Sequence, residues 1–231
     1  SYKFNSSIQE VENADAILLV GSNPRWEASV LNARIRKAFI DNNCKVGLIG
    51  PALDLNYAYD KISESLDELN DIIDNKSKFS EVLFNAKNPI IIVGTSAINT
   101  REGSSVLKTC AEIAKKLPNF SDSFNPLNIL NQDISRVGSL ELGFVNKIFD
   151  EDLEKKLKEE IAINKPVVFL LGLDEINPKS LDGSFVVYFG HHGDVNAQYA
   201  NIILPTPAYT EKSSTFMNIE GRAIQTSRCH N

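Results

Sequence analysis

Cysteine is scarce here and badly placed for metal chemistry. Cys44, Cys110 and Cys229 are odd in number and far apart, and no Cys-x-x-Cys occurs. Spacing therefore supports neither an iron–sulfur cluster nor a zinc site, and the expectation is reduced, mostly buried thiols. An excess of basic charge is lacking too. Twenty-four Lys and Arg stand against thirty Asp and Glu, a net charge of −6 with the cations spread along the chain. That excludes the basic face of a nucleic-acid binder. No apolar run approaches the length of a membrane span, and the opening SYKFNSSIQEVEN has no signal-peptide pattern. Direct membrane insertion is not expected, and any association would come through a partner. Ready-made catalytic signatures are missing as well. There is no GxGxxG, no Walker lysine, no Ser-His-Asp order and no pair of carboxylates in an obvious cleft.

What is present is a core. Hydrophobic residues make up 42% and charged residues 23% of 231 positions, ordinary globular usage. Five apolar runs each close on glycine: ILLVG (17–21), VGLIG (46–50), IIIVG (90–94), VFLLG (168–172) and VVYFG (186–190). A sixth, IILP (202–205), closes on proline. Continuous apolar character marks strands covered on both faces, as in parallel sheets. Helical patterns over residues 26–42, 63–73, 80–86, 104–117 and 150–161 separate several of them. In the first, Val30, Ala33, Ala38 and Phe39 are the apolar or small positions; the last opens with acidic DEDLE. The alternation predicts an α/β, three-layer Rossmann-like domain with a mainly parallel sheet holding all five glycine-closed runs, helices on both faces and the first run inside. Residues 119–146 break the rhythm, being rich in Asn and Ser. They are expected to form an ordered excursion in which Phe120, Phe124, Ile129, Leu130 and Phe144 are buried. One domain over 1–231 is the expected count, with no internal repeat beyond the strand–glycine rhythm.

Gly21, Ser22, Asn23 and Pro24 lead from the first run straight into a helical pattern. This is how a nucleotide-binding α/β unit begins, with backbone amides turned toward a phosphate. The competing reading is that Ser22 or Asn23 caps the helix and Pro24 starts it. Arg25, Arg34, Arg36 and Lys37 follow, but the last three lie toward the other end of that helix, as a solvated or partner-facing side. His191-His192-Gly193-Asp194 follows the fifth run, at an edge prone to ligands. Adjacent histidines on extended chain point apart, so hydrogen-bonded loop histidines are expected rather than a metal site. His230 adds little. Residues 215–226 read as a hairpin with a polar turn, and Glu211, Glu220 and Arg222 form either an ion-pair network or a ligand rim.

GSNPRWEASVLNARIRKAF and GHHGDVNAQYANIILPTPAYTEKSSTFMNIEGRAIQ resemble the large iron–sulfur subunit of respiratory complex I, the 75 kDa subunit of NADH-quinone oxidoreductase. Most of the chain looks like its C-terminal region, which is similar to molybdopterin oxidoreductases. In that wider family a loop like Gly21-Ser22-Asn23-Pro24 contacts a pterin dinucleotide and runs on into His-Pro, where Ala28-Ser29 stands here. Asp-Pro-Arg is common after the second strand, where this chain has Gly50-Pro51-Ala52, and Asn201 replaces a usual Asp. Glu211, Asn218, Glu220, Gly221, Arg222 and Gln225 keep the pattern. The resemblance therefore implies a kept scaffold, a vestigial loop and no catalytic, cofactor-binding or metal residue in this stretch.

It also implies that the 231 residues are a fragment. The parent subunit would hold the 4Fe-4S and 2Fe-2S clusters elsewhere, pass electrons from NADH towards quinone, and contact other peripheral-arm subunits of complex I. It would sit on the cytoplasmic side of a bacterial inner membrane or the mitochondrial matrix side. The alternative is a domain that binds molybdopterin guanine dinucleotide and catalyses oxidoreduction.

Overall fold

A computed structural model describes residues 2–144, 153–173, 176–193 and 195–229. The chain packs as two compact units, one of residues 1–143 with 216–224, the other of 144–215 with 225–231.

The first unit is built on a five-stranded sheet in the order β3-β2-β1-β4-β5. Its strands are β1 (Ala16–Val20), β2 (Lys45–Ile49), β3 (Asp60–Ser63), β4 (Pro89–Gly94) and β5 (Leu127–Leu130), all paired in parallel. Every residue of β1 and β4 is buried, as their unbroken apolar sequences require. Alternate residues of β1 face two different cores. Ala16, Leu18 and Val20 pack with α3 (Glu68–Ile73), α4 (Lys78–Asn85) and α6 (Gly103–Lys116). Ile17 and Leu19 pack with α2 (Ser29–Asp41) and with Phe4 and Val11 of the N-terminal segment. These are three layers, with short α1 (Pro24–Glu27), α5 (Thr95–Ile98) and α7 (Arg136–Glu141) at loops.

The second unit holds α8 (Leu153–Asn164) and a smaller parallel sheet, β6-β7-β8. Its strands are Val167–Leu171, Phe185–Gly190 and Ile202–Pro205. A two-stranded ribbon, most of it counted with the first unit, pairs β9 (Thr215–Met217) with β10 (Ala223–Gln225), the hairpin read over 215–226.

Several details differ from the sequence reading. Only three glycine-closed runs share the large sheet; 168–172 and 186–190 form β6 and β7 of the other. The reason is β5, which arises inside the irregular excursion and takes the edge beside β4, so the later runs pair with each other and with β8. In the excursion Ile129 and Leu130 are buried, but Phe144 is 75% exposed and Phe120 sits at the surface.

The first helix is two, broken at Ala28 (φ −155°, ψ 71°). Its buried stripe is Leu31, Ile35 and Ala38, while Val30 and Ala33 face solvent. Residues 60–63, counted as loop and helix start, form edge strand β3. The acidic opening of the fifth helix, residues 150–152, lies outside the described residues.

Candidate functional site

Strand order reverses between β1 and β4. The loops leaving their C-terminal ends flank the crevice where an open α/β sheet binds ligands. Gly21 leaves β1 with φ +51°, a left-handed turn that disfavours a side chain. Its N–H donates to the Ile49 carbonyl at 2.9 Å, tying the loop to the end of β2.

Across the crevice, the Ser96 hydroxyl donates to the Gly21 carbonyl. A Cβ on Gly21 would lie 2.6 Å from the Ala97 Cβ. A Cβ on Gly94 would overlap the Gly21 carbonyl oxygen and come within 2.8 Å of the Ser22 Cα. Gly50, at the exit of β2, is the third member, its Cβ position 3.7 Å from the Gly21 Cα. The glycines that close the runs thus let backbone approach backbone.

Of the four loop residues, Ser22 is buried and its hydroxyl donates to the Glu27 carboxylate at 3.1 Å. Asn23 stands at the cap position, where its backbone carbonyl accepts from the Trp26 and Glu27 N–H groups. Its side chain caps nothing, which corrects the capping reading: Asn23 Oδ1 is buried without a hydrogen-bond partner. Pro24 occupies N1 of α1 as expected. The cation nearest the loop, Arg25, donates to both the carbonyl (2.9 Å) and the carboxylate of Asp54, in the loop after β2. Asp54 stands five residues beyond the end of β2, past the Gly50-Pro51-Ala52 stretch that directly follows the strand. Arg34 and Lys37 both bind Glu12, whose carboxyl is held below the ordinary range chiefly by the Lys37 hydrogen bond. Arg36 donates to the Asn56 carbonyl at 3.4 Å.

In the second unit, His191 and His192 are exposed and do not diverge as expected. Their rings meet edge to face with centroids 4.6 Å apart, because the chain has left the extended conformation there. Asp194 and His230 lie outside the described residues. Among the described residues, no three His, Cys, Asp or Glu side chains are grouped to hold a metal ion. Burial pushes the Cys44 and Cys110 thiols up to about 12, so neither ionises near neutrality.

Glu220 works as a clasp. Its carboxylate accepts from the Ile8 N–H at 2.6 Å and from Asn218 Nδ2 at 2.9 Å, and Arg222 lies 3.5 Å away. Glu211 instead accepts from the Ala208 N–H at 2.9 Å. No described helix is long and apolar enough to cross a membrane.

A family model described as molybdopterin oxidoreductase matches residues 1–230. Among curated proteins, the chain is 40% identical over 230 residues to the NADH-ubiquinone oxidoreductase 78 kDa subunit, mitochondrial, of Candida albicans, covering 99% of this chain and 30% of that protein. It is 35% identical over 229 residues to the NADH-ubiquinone oxidoreductase 75 kDa subunit of Reclinomonas americana, covering 98% and 32%. It is 40% identical over 223 residues to NADH dehydrogenase [ubiquinone] iron-sulfur protein 1, mitochondrial, of Solanum tuberosum, covering 96% and 29%. The chain spans about a third of the length of these relatives.

Proposed function

The chain belongs to the molybdopterin oxidoreductase family, and on that premise we propose that it is a non-catalytic scaffold region of the large iron–sulfur subunit of an NADH–ubiquinone oxidoreductase. The subunit would carry electrons from NADH towards quinone through 4Fe-4S and 2Fe-2S clusters outside these 231 residues. This region would make contacts with peripheral-arm subunits, on the matrix or bacterial cytoplasmic side of the membrane.

The observation that supports the reading is the close-packed switch point. At the switch point, where the wider family seats a pterin dinucleotide, Gly21 and Gly94 leave no room for a side chain between them, and the Ser96 hydroxyl holds the Gly21 carbonyl. The surrounding residues do not fit that group either. Cations that would neutralise a dinucleotide's phosphates are not on offer here, since Arg25 is bound to Asp54 and Gly50-Pro51-Ala52 carries no charge. Gly21, Ser22, Asn23 and Pro24 are, in this account, a relic of a binding loop.

The alternative, a catalytic domain that binds molybdopterin guanine dinucleotide, has one point in its favour. The buried, unpaired Asn23 Oδ1 could accept a hydrogen bond from a ligand. Elemental and pterin analysis of the purified chain separates the two. The scaffold reading expects neither molybdenum, iron nor flavin in stoichiometric amount, and stoichiometric molybdenum with pterin would overturn it.

A further inference from the structure

Among the described residues, the smaller sheet β6-β7-β8 packs its core against one face, although β8 at its edge is exposed throughout, Ile203 on that face by 54%. Side chains alternate along each strand, and the register puts Val168 and Leu170 beside Val186 and Tyr188. That face packs against Leu181 and Ala197. The opposite face carries Val167, Phe169 and Leu171 of β6, Phe185 of β7, and Ile202 and Leu204 of β8. All six are exposed, Val167 by 55%, Phe169 by 61% and Leu171 by 72%; Val187, on the same face of the middle strand, is buried. At the middle of the face the Phe169 and Phe189 rings lie 6.4 Å apart, and no strand residue on it is charged.

A scattered exposed Leu or Val needs no explanation, but a contiguous apolar face does. Parallel strands are almost always covered on both faces. We propose that this face is the seat of one amphipathic helix of about three turns, supplied by the same, longer polypeptide outside these 231 residues. Three strands about 4.8 Å apart span about 10 Å, the diameter of one helix. The five residues of β6 extend about 17 Å, matched by about 11 helical residues at 1.5 Å each. An uncharged face calls for an aliphatic stripe rather than a charged one. The source follows from length, since about two thirds of each relative lies outside the matched stretch. This inference rests on the reading that the chain is part of such a subunit.

The test is maleimide labelling of Phe169→Cys, with Leu171→Cys as a second probe, read by mass spectrometry of the peptide that carries the new thiol. Both positions are exposed, so both variants are expected to fold. Labelling is compared in the 231-residue chain, in the longer polypeptide alone and in the assembled complex. The expected result is rapid labelling in the monomeric 231-residue chain and at least tenfold slower labelling in the longer polypeptide, assembled or not. Equal rates in all three would overturn the proposal. So would protection already in the 231-residue chain, which in a dimer would assign the face to a second copy. Protection only on assembly would assign it to another subunit, and equally overturn it. Failure of the longer polypeptide to assemble into an oxidoreductase would count against the subunit reading while leaving the labelling result legible.

Discussion

Two parallel sheets in one chain are built from the same kind of strand and are covered differently. Every residue of β1, at the centre of the five-stranded sheet, is buried, whereas three of the five residues of β6 are exposed. Both sequences, ILLV and VFLL, are equally apolar. The difference teaches that an unbroken apolar run records a strand made to be covered on two faces. It does not record that the covering layer lies in the same stretch of chain. In the first unit α3, α4 and α6 cover one face and α2 the other, all within the described residues.

The contrast breaks most sharply at single buried or exposed positions. Ile91→Asp and Leu170→Asp each place an unpaired charge in a closed core, a cost of several kcal/mol against a total stability of about 5–15 kcal/mol. Both should abolish cooperative unfolding in thermal denaturation monitored by circular dichroism. Phe169→Asp, one residue from Leu170 but on the open face, should change stability by no more than about 0.5 kcal/mol. Equal damage at 169 and 170 would mean the face is already covered.

Gly94→Val comes next. Its Cβ would press on the Gly21 carbonyl and the Ser22 backbone, neither of which is a flexible side chain. A loss of about 1–3 kcal/mol in urea unfolding is expected, the usual range for overpacking. A neutral result would mean that the two loops part easily and that the crevice can open.

A smaller effect depends on pH. Glu12 is held below the ordinary carboxylate range by Lys37, with Arg34 adding to it. A carboxyl whose folded value is depressed contributes stability above its unfolded value of about 4.3, lost as pH falls through the folded value. Thermal midpoints measured from pH 7 down to pH 3 should fall more steeply for the parent chain than for Glu12→Gln. Parallel curves would show that the bridge from α2 to the N-terminal segment contributes nothing.

The smallest change belongs to Asn23→Ala. A side chain that caps the helix would cost about 1 kcal/mol on removal. Because Asn23 Oδ1 makes no hydrogen bond, removing it should cost less than about 0.5 kcal/mol.

The buried strands and the longer helices were legible because their patterns are local. Three of the glycine-closed runs are β1, β2 and β4, and α3 buries Leu69 and Ile72 from its expected stripe. What escaped depends on distant partners. β5 reads LNIL, and an Asn in a short run argues against a core strand. Yet Asn128 is fully buried, accepting from the Ser6 N–H at 2.7 Å and donating to the Ser6 hydroxyl at 3.1 Å. Its partner stands 122 positions away. β3 reads DKIS, whose charges suit an edge strand but hide it from any search for apolar runs. At the site, the loop Gly21 to Pro24 was legible as a loop. That the Ser96 hydroxyl holds the Gly21 carbonyl was not, because that contact joins residues 75 positions apart.

The central claim, that this region supports a redox complex without taking part in its chemistry, is tested most directly by turnover per mole of intact complex in Asn23→Ala and His191→Ala variants. The account predicts NADH:ubiquinone turnover per assembled complex within about twofold of the parent, about 0.4 kcal/mol in activation free energy. A steep loss of turnover with assembly unharmed would contradict it and make the Gly21–Pro24 loop or the His191 loop a working site.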